Sequence, residues 1–160
     1  MHVEIHHLYV SPGHDFRGRH GKEALRHEVE DRDEIECVAG RGIRGDRYFD
    51  FKEDFKGQIT FFDAAVYEAL KEKLNLPDLE ASAFRRNVVM KGVDLNSLIG
   101  KRFRIGAVEF EGSEEAAPCY WMDRVCTDGA EEFLKDKGGL RARIRAGGML
   151  KRGEAELVVV

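Results

Sequence analysis

Short strand-like segments dominate this chain, and they do not alternate with helices. Residues 3–10 alternate apolar with polar side chains, and short runs of similar character recur through the rest of the sequence. The strand candidates are 3–10, 34–39, 57–62, "NVVMKG", "KRFRIG", "AVEFEG" and "AELVVV". "IGAV" forms a tight connection between two of them. A doubly wound parallel sheet needs alternating strands and helices, so we predict a mainly antiparallel, barrel-like β fold with peripheral α-helices.

One stretch has a clear helical period. In "FDAAVYEALKEKLNL", Asp63 is placed to act as an N-cap, and Pro77 ends the helix. The apolar stripe consists of Phe62, Val66, Ala69, Leu70 and Leu74. We interpret this helix as a packing element, and we predict a second, short helix over residues 128–137.

Length and charge limit the classes of function. The 160 residues suit a single domain over residues 1–160. The N-terminus lacks the basic segment and continuous apolar core of a signal peptide, and no run of 18 apolar residues occurs. We therefore expect a cytoplasmic protein with reduced cysteines and no membrane association. The net charge of −4 argues against general nucleic-acid binding.

Arginine is concentrated in a few places. Of the 26 basic residues 16 are arginines, and eight of these lie in "GRGIRGDR", "FRRN" and "GGLRARIRAGG". The planar guanidinium group suits carboxylate and phosphate ligands. The clusters indicate a small anionic cofactor or metabolite, and a solvated basic surface is the alternative. "GRGIRGDR" is not a P-loop, because the Lys-Ser/Thr ending is missing; its Asp46 is placed to orient a neighbouring arginine.

The segment "LRARIRA" alternates strictly. As a strand it places Arg141, Arg143 and Arg145 on one face, about 7 Å apart. We expect the glycines on either side, at 138, 139, 147 and 148, to let a ligand approach the backbone. The alternative is a basic solvent face on an edge strand, which also protects against aggregation.

One of the three cysteines stands apart. Cys119 follows Pro118, which restricts the backbone, and "CYWMDRVC" can begin a helix there. Helix N-termini favour the thiolate, the form that ligates soft metals and attacks electrophiles. A free cysteine is more commonly a small buried hydrophobe, which is how we interpret Cys37. We also assign Cys126 to packing, because seven helical residues separate it from Cys119 by about 10.5 Å, too far for a disulfide.

The six histidines do not form a zinc motif. The sequence has neither a Cys-x₂-Cys pair nor HExxH, and His6 and His7 are expected on opposite faces of a strand. The remaining histidines include three within residues 11–27, which we interpret as a long functional loop of undefined role.

Taken in order, the motifs resemble the MOSC domain family, named after the C-terminal domain of molybdenum cofactor sulfurase. The resemblance covers about residues 36–148 and the opening "LYVSPGH". Its motifs are "GRGIRGDRYF", "GQITFFD", "FRRNVVMKGVDLNSLIGKRFRIG", "PCYWMD" and "GGLRARI". The resemblance implies a MOSC-type β-barrel with peripheral helices, and a characteristic cysteine that carries sulfur or binds molybdenum.

The resemblance also implies the site residues. The family includes the cofactor-binding part of the mitochondrial amidoxime-reducing component, in which a cysteine ligates the metal of a molybdenum-pterin cofactor. The matching "PC" assigns that catalytic and metal-binding role to Cys119. The other expected cofactor-binding residues are Asp46, Arg47, Arg85 and Asn87 from the family motifs, and Arg141 and Arg143 from our charge argument.

Three functional hypotheses follow. The first is a molybdenum-cofactor-binding protein that reduces N-hydroxylated compounds with electrons from a separate donor protein. The second is a sulfur carrier that receives a persulfide on Cys119 from a donor protein. The third is a non-catalytic module that grips a phosphorylated metabolite through Arg141 and Arg143.

Overall fold

The computed structural model describes residues 1–14, 27–119 and 121–160. The strands are β1 (His2–Val10), β2 (Glu30–Asp31), β3 (Glu34–Val38), β4 (Gly42–Ile43), β5 (Ile59–Asp63), β6 (Val88–Lys91), β7 (Arg102–Ile105), β8 (Val108–Glu115), β9 (Leu140–Ala146), β10 (Gly148–Lys151) and β11 (Gly153–Val159). The α-helices are α1 (Ala64–Lys73), α2 (Trp121–Val125) and α3 (Ala130–Phe133), and 3-10 turns lie at Ala81–Phe84 and Leu95–Leu98. Most of the predicted loop 11–27 lies outside the described residues.

Seven of the described strands close into a β-barrel. They follow the order β11-β7-β8-β9-β5-β6-β1, and β1 pairs with β11 to complete the ring. The β5–β6 pair is parallel, and the other pairs of the ring are antiparallel. A second sheet, β10-β3-β4, lies beside the barrel. The predicted mainly β, barrel-like fold with peripheral helices is therefore confirmed.

A bulge changes the phase of β1. Its pairing with β6 shifts between Ile5 and His7. Val3 and Ile5 point into the barrel before the bulge, and Leu8 and Val10 point inward after it. His6 and His7 are consequently both half-exposed and line the same surface groove. Their expected placement on opposite faces is wrong, because the extra residue breaks the two-residue period.

The apolar residues form two cores, one inside the barrel and one beneath α1. Inside, the rings of Phe61, Phe103 and Phe110 meet with centroids 5.2 to 5.8 Å apart. Outside, Leu70 of α1 packs in the second core. Asp63 caps α1 as predicted, since its Oδ1 accepts a 2.9 Å hydrogen bond from the amide of Ala65. None of the helices in the described ranges combines the length and apolar character required of a transmembrane segment.

Strand β9 alternates as its sequence predicts. Leu140, Ala142 and Ile144 are buried, and the three arginines between and after them are half-exposed. However, β9 pairs with both β8 and β5. It is therefore an interior strand, and the edge-strand alternative is wrong.

The glycines beside β9 are required by the protein's own backbone. A Cβ atom would lie 2.1 Å from the Ala116 carbonyl oxygen at Gly138, 2.2 Å from the Phe61 oxygen at Gly139 and 2.7 Å from the Cys37 oxygen at Gly147. The sequence predicts that these glycines admit a ligand. At these three positions the approaching group is instead a carbonyl of the chain itself.

Candidate functional site

A cavity of 280 Å³ lies where the loop after β4, strand β5, the 3-10 turn before β6 and the start of β9 meet. Its volume is close to the lower end of the usual range for ligand pockets. Its charged lining residues are Arg47, Arg85, Arg86, Glu114, Glu115 and Arg141. Four guanidinium groups against two carboxylates make the cavity suited to an anionic ligand.

Asp46 builds the turn that carries Arg47 into the cavity wall. The Asp46 carboxylate is buried and accepts hydrogen bonds from the amide of Ser11 (3.1 Å), the Arg47 Nη1 atom (3.2 Å) and the amide of Tyr48 (3.3 Å). The amide of Arg47 in turn donates to the Ser11 carbonyl at 2.8 Å. Asp46 therefore orients its neighbouring arginine and serves as scaffold.

Arg85 and Arg86 diverge in direction. Arg85 ends the 3-10 turn with a φ of 56°, a left-handed conformation that is uncommon outside glycine. Its Nη2 atom donates to the Ser11 Oγ at 2.8 Å and to the Gly13 carbonyl at 2.5 Å. Arg85 is buried, and it fixes the end of β1 and the residues after it.

Arg86 binds three carbonyls from separate parts of the chain. Its Nε donates to the Gly138 oxygen at 3.0 Å, its Nη2 to the Ala116 oxygen at 3.0 Å and its Nη1 to the Phe84 oxygen at 3.3 Å. Burial lowers its pKa to about 10, and the positive charges of Arg47 and Arg141 act in the same direction. Sequence reasoning misses Arg86 as a site residue. "FRRN" is evident as an arginine pair, but the family pattern points to Arg85.

Asn87 is fully engaged by the protein. Its Oδ1 accepts from the amide (2.9 Å) and hydroxyl (3.1 Å) of Thr60, and its Nδ2 donates to the Tyr9 carbonyl at 3.1 Å. Asn87 is buried and links β1 to β5 behind the cavity, whereas Thr60 contributes to the cavity lining. The structure thus places Asn87 behind the wall of the site.

The three arginines of β9 separate into different environments. Arg141 lines the cavity, donates to Glu114 at 2.7 Å and lies over the Phe55 ring. Arg143 pairs with Asp54 at 3.1 Å and is absent from the described lining. Arg145 pairs with Glu111 at 3.0 Å. Only the first of the three therefore faces the cavity, and the other two form surface ion pairs.

The three cysteines lie in different surroundings. Cys119 is exposed, Cys126 is half-buried and Cys37 is buried. Burial raises the pKa of Cys37 to about 12, and burial together with Asp123 raises the pKa of Cys126 to about 11. The packing roles expected for these two are consistent with this.

Cys119 lies beside the cavity on the segment that forms one of its walls. Ala116 and Ala117, just before it, line the cavity. A charge on Cys119 acts directly on Arg86, raising the pKa of that guanidinium against the effect of burial. Cys119 itself is exposed and is not among the described lining residues; it lies two residues after Ala117 in the chain.

A family model for the MOSC domain matches residues 18–155, which is most of the chain. The chain belongs to the MOSC family. Its barrel agrees with that assignment. A comparison with curated proteins gives no match.

Solved structures share this MOSC fold. The crystal structure of YuaD from Bacillus subtilis superposes with a TM-score of 0.74 and 18% identity, covering 100% of this chain and 97% of that one. YiiM from Geobacillus stearothermophilus gives 0.68 and 16%, covering 99% and 75%. YiiM from Escherichia coli gives 0.64 and 18%, covering 99% and 70%. At these identities the likeness shows the fold alone.

The metal-binding groups of this site suit a metal that is coordinated mainly by an organic cofactor. Among the described residues of this MOSC protein, no three His, Cys, Asp or Glu side chains are arranged to hold a metal ion. One exposed thiol and a cationic cavity are present instead. These fit a cofactor whose organic part coordinates the metal and carries negative charge, and which needs one soft ligand from the protein.

Proposed function

We propose that this MOSC protein binds a molybdenum-pterin cofactor, with Cys119 as the protein's ligand to the metal. The observation that carries the proposal is the exposed thiol of Cys119 beside a cavity lined by arginines. Arg47, Arg86 and Arg141 would hold the anionic groups of the cofactor. Asp46, Arg85 and Asn87 would keep the wall of the cavity in place.

The residues of the chain would orient the cofactor and leave one side of it open. When bound, molybdenum would supply oxygen-atom and electron transfer, and the protein would position it. Cys119 would hold the metal from its exposed position, where an N-hydroxylated compound can approach from solvent. We propose reduction of such compounds as the reaction, with electrons from a separate donor protein.

Cofactor loading tests the proposal. Protein purified from a cofactor-competent host should contain about one molybdenum and one pterin per chain, measured by metal analysis and by fluorescence of the oxidised pterin. Cys119→Ala should lose the molybdenum. Cys126→Ala is the matched control and should retain it, because Cys126 is half-buried against the core beneath α1. Equal molybdenum in wild type and Cys119→Ala would contradict the assignment of the ligand.

A sulfur carrier is the second candidate. It is supported by the exposure of Cys119 together with the lack of a three-ligand cluster among the described residues. A donor persulfide would transfer its terminal sulfur to the Cys119 thiolate, and the donor would leave as a thiolate. Persulfide labelling at Cys119 in metal-free protein, lost in Cys119→Ser, would favour this function.

The same variants test the non-catalytic alternative. In that case phosphate-containing ligands would raise the melting temperature equally with and without the Cys119 thiol, and neither metal nor persulfide would be found.

A further inference from the structure

We propose that Arg86 is a positioning residue, which ties the Cys119 segment to the wall of the cavity and supplies the positive potential beside that thiol. The inference rests on the proposed function only in taking Cys119 as the reactive group. Neither the sequence motifs nor the family resemblance assigns a role to Arg86.

The contacts of Arg86 join segments that are distant in sequence. Gly138 is 52 residues and Ala116 is 30 residues from Arg86. The two segments also touch each other, since the amide of Ala116 donates to the Gly139 carbonyl at 2.8 Å. The Arg86 guanidinium group thus links the two segments. Its contact on one of them, Ala116, lies three residues before Cys119.

The neighbouring backbone leaves no room for this segment to shift toward β9. A Cβ atom on Gly138 would lie 2.9 Å from the Pro118 Cδ atom, so the chain around Pro118 packs directly on the glycine. Packing on Gly138 limits the segment on one side, and Arg86 links it to Gly138 by donating hydrogen bonds to the Ala116 and Gly138 carbonyls. Cys119 follows immediately, and its position depends on both restraints.

The charge of Arg86 is not neutralised by a carboxylate among the described residues. Arg47 pairs with Asp46 at 3.2 Å, and Arg141 pairs with Glu114 at 2.7 Å. The described partners of Arg86 are all neutral carbonyl oxygens. Its pKa is held at about 10 by burial and by the two neighbouring arginines, so it remains cationic at neutral pH. An anion beside Cys119 would meet this uncompensated charge.

Arginine is needed for this combination of contacts. Its planar group directs separate N–H donors from Nε, Nη1 and Nη2 at three acceptors. A lysine ammonium would keep the charge, but it cannot span the same carbonyls with a fixed fork. The two contributions of Arg86, holding the segment and supplying charge, can therefore be separated by substitution.

The experiment uses the full chain without cofactor. Alkylation of Cys119 by anionic iodoacetate and neutral iodoacetamide is timed by peptide mass spectrometry, and exchange of the Ala116 amide proton is followed by NMR. In Arg86→Met we expect the iodoacetate-to-iodoacetamide rate ratio to fall about three- to tenfold. We expect the Ala116 amide to exchange at least about tenfold faster. Arg86→Lys should keep the wild-type iodoacetate-to-iodoacetamide rate ratio, but its Ala116 amide should exchange faster than in the wild type.

Arg104→Met is the matched control. Arg104 is exposed on β7 and absent from the described cavity lining, so its loss should change neither readout. An unchanged rate ratio in Arg86→Met would overturn the electrostatic part of the proposal, and unchanged exchange would overturn the positioning part. If Arg86→Met does not fold, Arg86→Lys decides the positioning part. Wild-type protection of the Ala116 amide proton in Arg86→Lys would refute the role of Arg86 in holding the segment. The measurement uses protein without cofactor. A failure of cofactor loading would therefore contradict the proposed function without changing this result.

Discussion

At the scale of single residues, the exposure and contacts of a side chain depend on its position in the fold more than on its residue type. Cys37, Cys119 and Cys126 have the same thiol, but only Cys119 is exposed. Arg85 and Arg86 are adjacent, yet one holds the residues after β1 and the other holds the segment before Cys119. The left-handed backbone of Arg85 separates the two side chains.

Thiol labelling should follow these environments. At pH 8 we expect iodoacetamide to modify Cys119 first, since the pKa values of about 11 for Cys126 and about 12 for Cys37 leave them roughly 100-fold and 1000-fold less thiolate than an ordinary cysteine. Raising the pH from 9 toward 11 should bring Cys126 into reaction, because its thiol then ionises. Peptide mass spectrometry measures each site. Protein unfolded in urea is the control, in which the three cysteines should react at similar rates. Labelling of Cys126 as fast as Cys119 in native protein at pH 8 would contradict the prediction.

At the scale of elements, glycines and caps determine how the strands and helices meet. Gly138 accommodates the Ala116 carbonyl at the point where β9 begins, and Asp63 begins α1. Gly106 allows the tight turn between β7 and β8, where an added Cβ atom would meet no described atom within 4 Å. The same residue type thus has a packing role at one position and a conformational role at the other.

Gly138→Ala should destabilise the protein by about 3 kcal/mol, because the new Cβ would overlap the Ala116 oxygen and displace the chain before Cys119. Gly106→Ala is the control and should lower stability by only about 1 kcal/mol, the strain of a left-handed alanine. Urea unfolding followed by circular dichroism measures both. Equal effects would show that the close approach at Gly138 is unimportant.

Asp63→Ala should lower the free energy of unfolding by about 1 kcal/mol, since the first turn of α1 loses its side-chain acceptor. Asp63→Asn keeps an acceptor oxygen and should remain close to wild type. The comparison is again made by urea unfolding. A cap that contributes nothing would leave the alanine variant as stable as the asparagine variant.

At the scale of the whole molecule, stability depends on closing the barrel between its first and last strands. β1 pairs with β11 through His2–Glu156 to Ile5–Gly153, and the N-terminal amino group donates to the Leu157 carbonyl. Leu157 is fully buried in the barrel core, whereas its neighbour Val158 is 50% exposed. Two ends of the chain therefore complete one hydrophobic interior.

Leu157→Ala should destabilise the protein by about 2–5 kcal/mol, because it leaves a void inside the closed barrel. Val158→Ala, one residue along the same strand, should change stability by less than about 0.5 kcal/mol. Thermal and urea unfolding give both values. Similar losses for the two variants would mean that β11 does not seal the core as the burial pattern indicates.

Some of the residues that line the cavity are among those singled out by the sequence. Arg47, Arg85 and Arg141 are predicted as site residues and line the cavity. Cys119 is singled out by its proline and its isolation, and it is exposed. Arg143 is predicted because three arginines share a strand face, but Asp54 draws it into a surface ion pair. Asp54 is 89 residues away in the chain, so the pairing could not be inferred from local pattern.

Local sequence patterns were enough to predict the seven strands of the barrel, the α1 helix with its cap and the alternating faces of β9, because those features depend on periods and hydrogen bonds within a few residues. They did not predict the short strands β2, β4 and β10. Three features follow only from the folded barrel: His6 and His7 share a face, Gly138 and Gly139 accommodate carbonyl oxygens, and Arg86 links Gly138 to the segment before Cys119. Each of these depends on contacts between residues far apart in the chain, and those distances exist only once the barrel has closed.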